Sequence, residues 1–162
     1  MTVQARADRA SGRALGDSGG ESGGGGRPGH TVVGFDGSAA SYDAVAFARG
    51  WARRVGATLD IIYVADAPWQ WAGDGGWAGS CADTVGEVAS SLSVELAAAM
   101  AGSAMTWTWS YLASSGDIAT ELERCAENLG ADAIIVGHSH KRLFSIGRRL
   151  VRRAKRIVIV VP

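Results

Sequence analysis

The chain has 162 residues, 16 acidic and 16 basic side chains, and a mean hydropathy of +0.07. That length supports one well-packed core rather than two ordinary domains, and a balanced charge gives no general attraction to nucleic acid or an anionic membrane. Cys81 and Cys125 belong to no ligand-spaced cluster, which argues against a disulfide scaffold or a zinc site, and no apolar run reaches the roughly 20 residues of a membrane span. The expectation is a soluble protein in a reducing cytoplasm.

Residues 1–29 carry four arginines, three acids and many glycines and serines, with little to bury. They predict a disordered tail ahead of a single domain over residues 30–162. The run DSGGESGGGG from Asp17 is glycine-rich like a phosphate loop, but no strand precedes it and no helix follows, so it reads as linker.

From Thr31 the texture changes. Residues 31–35 are a short β-branched run that predicts a strand, followed by the turn Asp36, Gly37, Ser38. Ala40, Ala44, Phe47, Trp51 and Val55 then recur at helical spacing, with Ser38 as N-cap and Gly56 as stop. Residues 58–64 predict a second strand if Asp60 lies near its start. A long loop follows, where Trp69, Trp71 and Trp77 stand among glycine and aspartate. It reads as a plug over the sheet end or as a surface for a protein partner.

Residues 83–101 predict a helix with Val85, Val88, Leu92, Leu96 and Met100 on one side. Residues 106–112 alternate strictly, Trp107, Trp109 and Tyr111 against Thr106, Thr108 and Ser110, which is the pattern of a half-covered edge strand. Ile118, Leu122, Cys125 and Leu129 mark a third helix that Gly130 ends. Residues 133–136 and 157–161 are continuous apolar runs flanking a basic helix, the sign of a βαβ unit in a sheet covered on both faces. Strict alternation of five strands with four helices predicts an α/β fold with a doubly wound parallel sheet.

In such a sheet ligands sit beyond the carboxyl ends of the strands, near helix N-termini. Two strand ends stand out: Asp36 after the first strand, and the loop from Gly137 after the fourth. A carboxylate accepts hydrogen bonds from a ribose or an adenine amino group, and small residues let backbone N–H groups approach phosphate. A nucleotide fits that division.

These residues carry a family resemblance. VVGFDGSAAS near the start, a middle strand ending in YV, and ADAIIVGHSH through RRLVRRAKRIVIVVP resemble the universal stress protein family over about residues 31–162. The resemblance implies a five-stranded sheet of order 3-2-1-4-5 with four helices, an adenine nucleotide alpha hydrolase-like fold, and a homodimer through the last strand. It also implies a site for ATP or another adenine nucleotide, with magnesium accompanying it. By resemblance that site takes Gly34, Phe35, Asp36, Val64, Val136, Gly137, His138, Ser139, His140, Ser145 and Ile146. The chain departs from the family's phosphate motif, G-x-x-G-x(9)-G-[ST]: Gly137 matches, His140 replaces the second glycine, and Leu150 stands at the spacing of the third. Aligned on the terminal strand, Phe144 and Ser145 meet the Gly-Ser pair across a shortened loop.

The function expected is therefore a regulatory module that binds an adenine nucleotide. The alternative is a dimeric interaction module of the same fold that has lost nucleotide binding, using the tryptophan loop and the basic helix. His138 and His140 alternate as metal ligands would, but a third ligand is missing locally, so no metal site is assigned. Ile146, Leu150 and Ala154 form the apolar stripe of the last helix and leave Arg148, Arg149, Arg152 and Arg153 outward, a solvated face that pairs with acids of another helix rather than with nucleic acid. No catalytic constellation emerges, so the protein is read as a non-enzyme, with slow ATP hydrolysis as the upper limit.

Overall fold

The computed structural model describes residues 3–6, 29–66, 77–114, 117–138, 143–153 and 155–162. In chain order the elements are β1 (Val3–Arg6), β2 (His30–Phe35), α1 (Ala39–Val55), β3 (Thr58–Asp66), α2 (Trp77–Ala99), β4 (Trp107–Ser114), α3 (Ile118–Leu129), β5 (Ala131–Gly137), α4 (Leu143–Arg153) and β6 (Ile157–Val161).

The sheet order is β1-β4-β3-β2-β5-β6. Strands β2 to β6 are parallel throughout and reproduce the expected 3-2-1-4-5 order. The chain winds outward from β2 through β3 to β4, then crosses back to β5 and winds the other way to β6. The winding therefore reverses between β2 and β5, and their carboxyl ends flank one crevice.

Two cores follow from the period of the strands. Odd-numbered Val33, Phe35, Leu59, Ile61, Trp109 and Ile135 pack with Ala44, Val45, Ala48 and Ala52 of α1 and with Ala89, Leu96 and Met100 nearby. Val32, Ile62, Val64, Leu112, Ile134 and Val136 face the opposite way, onto Ala119, Leu122 and Ala126 of α3 and Ile146 and Leu150 of α4. The central strands are thus buried on both faces, which is why their sequences are apolar without alternation.

Helix α1 begins where the sequence places it. The Ser38 side chain accepts from the Ser41 N–H at 3.3 Å, and Gly56 ends the helix in the left-handed conformation at φ 69°. Helix α2 instead starts at Trp77, earlier than the expected residue 83. Trp77 therefore belongs to a helix rather than to the tryptophan loop, whose Trp69 and Trp71 lie outside the described residues.

The outer strand β1 is the other difference. Val3–Arg6 pairs antiparallel with β4, Val3 opposite Ala113 and Arg6 opposite Ser110. The tail expected to be disordered over residues 1–29 thus contributes a strand at residues 3–6, while residues 7–28 lie outside the described set. The alternating pattern had marked β4 as an edge. It is the edge of the parallel part, and an edge with free N–H and C=O groups can accept a further strand.

At the amino ends of the strands, one polar row interrupts the second core. Asp60, 3% exposed, accepts from the Thr108 hydroxyl at 2.7 Å and lies 2.7 Å from His30 Nδ1. The register sets Asp60 beside Thr108 and places His30 two residues before Val32, the partner of Asp60. One carboxylate thereby ties β2, β3 and β4 together.

Candidate functional site

The turn after β2 is built around Asp36. Its Oδ1 accepts from the Ser38 N–H at 3.0 Å and from the Ser38 hydroxyl at 2.6 Å. This closes the turn as an aspartate commonly does, and leaves Oδ2 available as an acceptor on an exposed side chain. Gly37 within the turn has φ +78°, and a Cβ there would meet Leu92 of α2. Both its backbone conformation and its closeness to α2 require glycine.

Across the crevice, β5 ends at Gly137. Gly34 pairs with Val136 in the β2–β5 register, so the residues after Phe35 and Val136 leave the sheet side by side. A Cβ on Gly137 would overlap the backbone of Ala40 and Ser41. The end of β5 therefore lies directly against the first turn of α1, where the helix dipole favours a negative charge. His138 is partly exposed, and its N–H donates to the Val161 carbonyl at 2.6 Å, tying the exit of β5 to the end of β6.

The other expected site residues divide clearly. Gly34 is buried beneath Leu122 of α3, and a side chain there would collide with it. Phe35 belongs to the first core, and Val64, Val136 and Ile146 to the second. These five form the floor that holds the strand ends in place, while Asp36, Gly137 and His138 stand at the rim. Ser145 lies in the first turn of α4. Ser139 and His140 lie outside the described residues. Among the described residues no group of three His, Cys, Asp or Glu side chains could hold a metal ion.

Tyr63 is the rim residue that the sequence did not single out. It pairs with Phe35 on β2 and Tyr111 on β4, forming an aromatic row across three strands. Its ring stacks on Trp109, with centroids 6.4 Å apart and planes at 8°, while Trp109 and Tyr42 each meet Phe35 edge-on. Burial raises the phenol's pKa, and the negative charge of Asp36 raises it further. Its aromatic character reads from sequence as core β-propensity, so only the register shows that it adjoins the crevice.

The basic helix behaves as its pattern predicts. Arg149 donates to Asp117 at the start of α3 at 2.7 Å, and Arg153 reaches the same carboxylate at 3.8 Å and the Thr120 hydroxyl at 3.2 Å. Arg148 and Arg152 are exposed on the outer face. Among the described residues, no helix is long and apolar enough to cross a membrane.

A family model described as the universal stress protein family matches residues 29–162. A solved protein of that family from Burkholderia pseudomallei is 26% identical, with a TM-score of 0.66 over 82% of this chain and 95% of its own. The universal stress protein from Archaeoglobus fulgidus in complex with dAMP is 18% identical, with a TM-score of 0.54 over 83% of this chain and 98% of its own. A universal stress protein in complex with cAMP is 20% identical, with a TM-score of 0.64 over 83% and 97%. At those identities the last two likenesses speak for the fold. No curated protein sequence matches the chain.

Proposed function

The chain belongs to the universal stress protein family, and from that premise we propose that it is a cytoplasmic regulatory module that binds an adenine nucleotide between the loops after β2 and β5. Its role is to hold the ligand rather than to transform it. The observation that carries this reading is the placement of Asp36 and Gly137 at the point where the winding reverses, with the first turn of α1 against Gly137. Oδ2 of Asp36 supplies an acceptor, and the bare α-carbon of Gly137 lets the end of β5 lie against the first turn of α1, whose dipole favours an anionic ligand. These residues fit a nucleotide. Magnesium would arrive on the ligand's phosphates, since the described residues offer no cluster of their own. The solved relatives in complex with dAMP and cAMP support the class of ligand.

Calorimetric titration with ATP, AMP and cyclic AMP, each with magnesium, tests it. Micromolar binding is expected, and Asp36→Ala should weaken it by about 10- to 100-fold, the effect of a lost charge-assisted hydrogen bond. Absence of heat with every nucleotide at millimolar concentration overturns the reading.

A second observation favours the module acting as a homodimer. On the edge strand β6, Ile157 is 53% and Val160 42% exposed, and Val151 of the adjoining α4 is 61% exposed. An apolar edge strand is a ready template for pairing with another chain. Sedimentation over a range of concentrations should show a dimer that Val160→Lys converts to monomer; a monomeric wild type removes β6 as an interface.

A further inference from the structure

Resting on the nucleotide reading, we propose that Tyr63 is a specificity-determining residue of the crevice, donating its hydroxyl to N1 of the adenine ring while Oδ2 of Asp36 accepts from the exocyclic amine. The Watson–Crick edge of adenine presents a donor beside an acceptor, so its complement is an acceptor beside a donor. Asp36 and Tyr63 supply that complement. Oδ1 of Asp36 is already engaged by two groups of Ser38, which leaves Oδ2 as its acceptor for a ligand. Tyr63 pairs with Phe35, the residue before Asp36, so the register sets the phenol's strand beside the turn that carries the carboxylate.

Three features make the phenol suited to the task. Its ring is held by the stack on Trp109 and by the row formed with Phe35 and Tyr111, so little rotamer freedom remains to be lost on binding. Its hydroxyl has no hydrogen-bond partner among the described residues, whereas Tyr42, the neighbouring tyrosine of α1, donates to Glu95 at 2.7 Å. Burial and the Asp36 charge both favour the protonated phenol, so it stays a donor through neutral and moderately alkaline pH. Inosine nucleotides reverse the pattern, with an acceptor at position 6 and a donor at N1. They would set oxygen against the carboxylate and N–H against a phenol held as donor, and such mismatched polar groups account for strong rejection in hydrogen-bonding sites.

The test is titration of wild type and Tyr63→Phe with AMP and with IMP, alongside thermal unfolding of both proteins. Wild type should prefer AMP. Tyr63→Phe should lose about three- to ten-fold in AMP affinity, the range of one neutral hydrogen bond, and the AMP-to-IMP ratio should narrow by the same factor. Phenylalanine keeps the stack on Trp109, so the melting temperature should move little. If wild type binds AMP and the substitution leaves the ratio unchanged, or weakens both ligands equally, the assignment of Tyr63 is overturned while the nucleotide site stands. If wild type binds neither AMP nor IMP, the assignment of Tyr63 is overturned, and the nucleotide reading fails with it only where ATP and cyclic AMP also give no heat.

Discussion

Asp36, in the turn after β2, and Asp60, within the adjacent β3, are the same residue type toward opposite poles of one sheet, and they do opposite work. Asp60 is buried and saturated, with Thr108 on one oxygen and His30 on the other. Asp36 is exposed and, among the described residues, holds only its own turn and keeps an oxygen free. A carboxylate withdrawn from water must have its lone pairs met inside the protein, so Asp60 can serve only the fold. A carboxylate at a strand end keeps its hydration until a ligand replaces it, so Asp36 can serve recognition. The difference lies in position along the strand, since Asp60 is buried within β3 while Asp36 lies just past the end of β2 in an exposed turn.

Removing each carboxylate in turn should separate the two roles. Asp60→Ala leaves the Thr108 hydroxyl and His30 without their partner and opens a space among β2, β3 and β4, and it should cost about 3–5 kcal/mol in denaturant unfolding. Asp60→Asn, which keeps the shape and an acceptor for Thr108, should recover much of that loss. Asp36→Ala removes only hydrogen bonds at an exposed turn, worth about 1 kcal/mol, yet it is the variant expected to abolish most nucleotide affinity. Equal destabilisation by the two alanine variants would mean that the poles are not functionally distinct.

The sequence made one of these aspartates legible and concealed the other. Asp36 stands after an apolar run and before a serine cap, a local pattern that marks a strand end. The partners of Asp60 are His30 and Thr108, 30 and 48 residues away, and only the strand register brings them together. Read locally, Asp60 marked no more than the start of a strand. Tyr63 was hidden for the same reason: its row with Phe35 and Tyr111 spans three strands, and each member looks like an ordinary β residue. The sheet order and the last strand were readable because apolar runs and a family pattern fix them. The early start of α2 at Trp77 was not, since glycine, serine and aspartate through residues 79–83 have weak helix propensity and the helix forms in spite of it. Strand β1 was equally opaque: four residues, VQAR, carry too little pattern, and what selects them is the unpaired edge of β4.

The smallest effect belongs to the pair that joins the two helices of the second face. Burial alone would raise the pKa of Asp117, but hydrogen bonds from Arg149 and Thr120, together with the Arg149 charge, outweigh it and hold the carboxyl below the usual aspartate range. A group whose pKa is lowered on folding binds protons more weakly in the native state than in the unfolded one, so its contribution is complete at neutral pH. That contribution is lost as pH falls below the unfolded value and through the folded one. The Arg149 guanidinium is well exposed, which screens the pair and limits it to under about 1 kcal/mol. Arg149→Ala should therefore lower the unfolding free energy slightly at pH 7, and the gap from wild type should close in acid as Asp117 protonates. It should also shrink in molar salt. A gap that persists unchanged below the aspartate range would mean that Arg149 stabilises α4 through its alkyl packing and not through Asp117, and the two helices would then be joined by Ile146, Leu150 and their apolar neighbours alone.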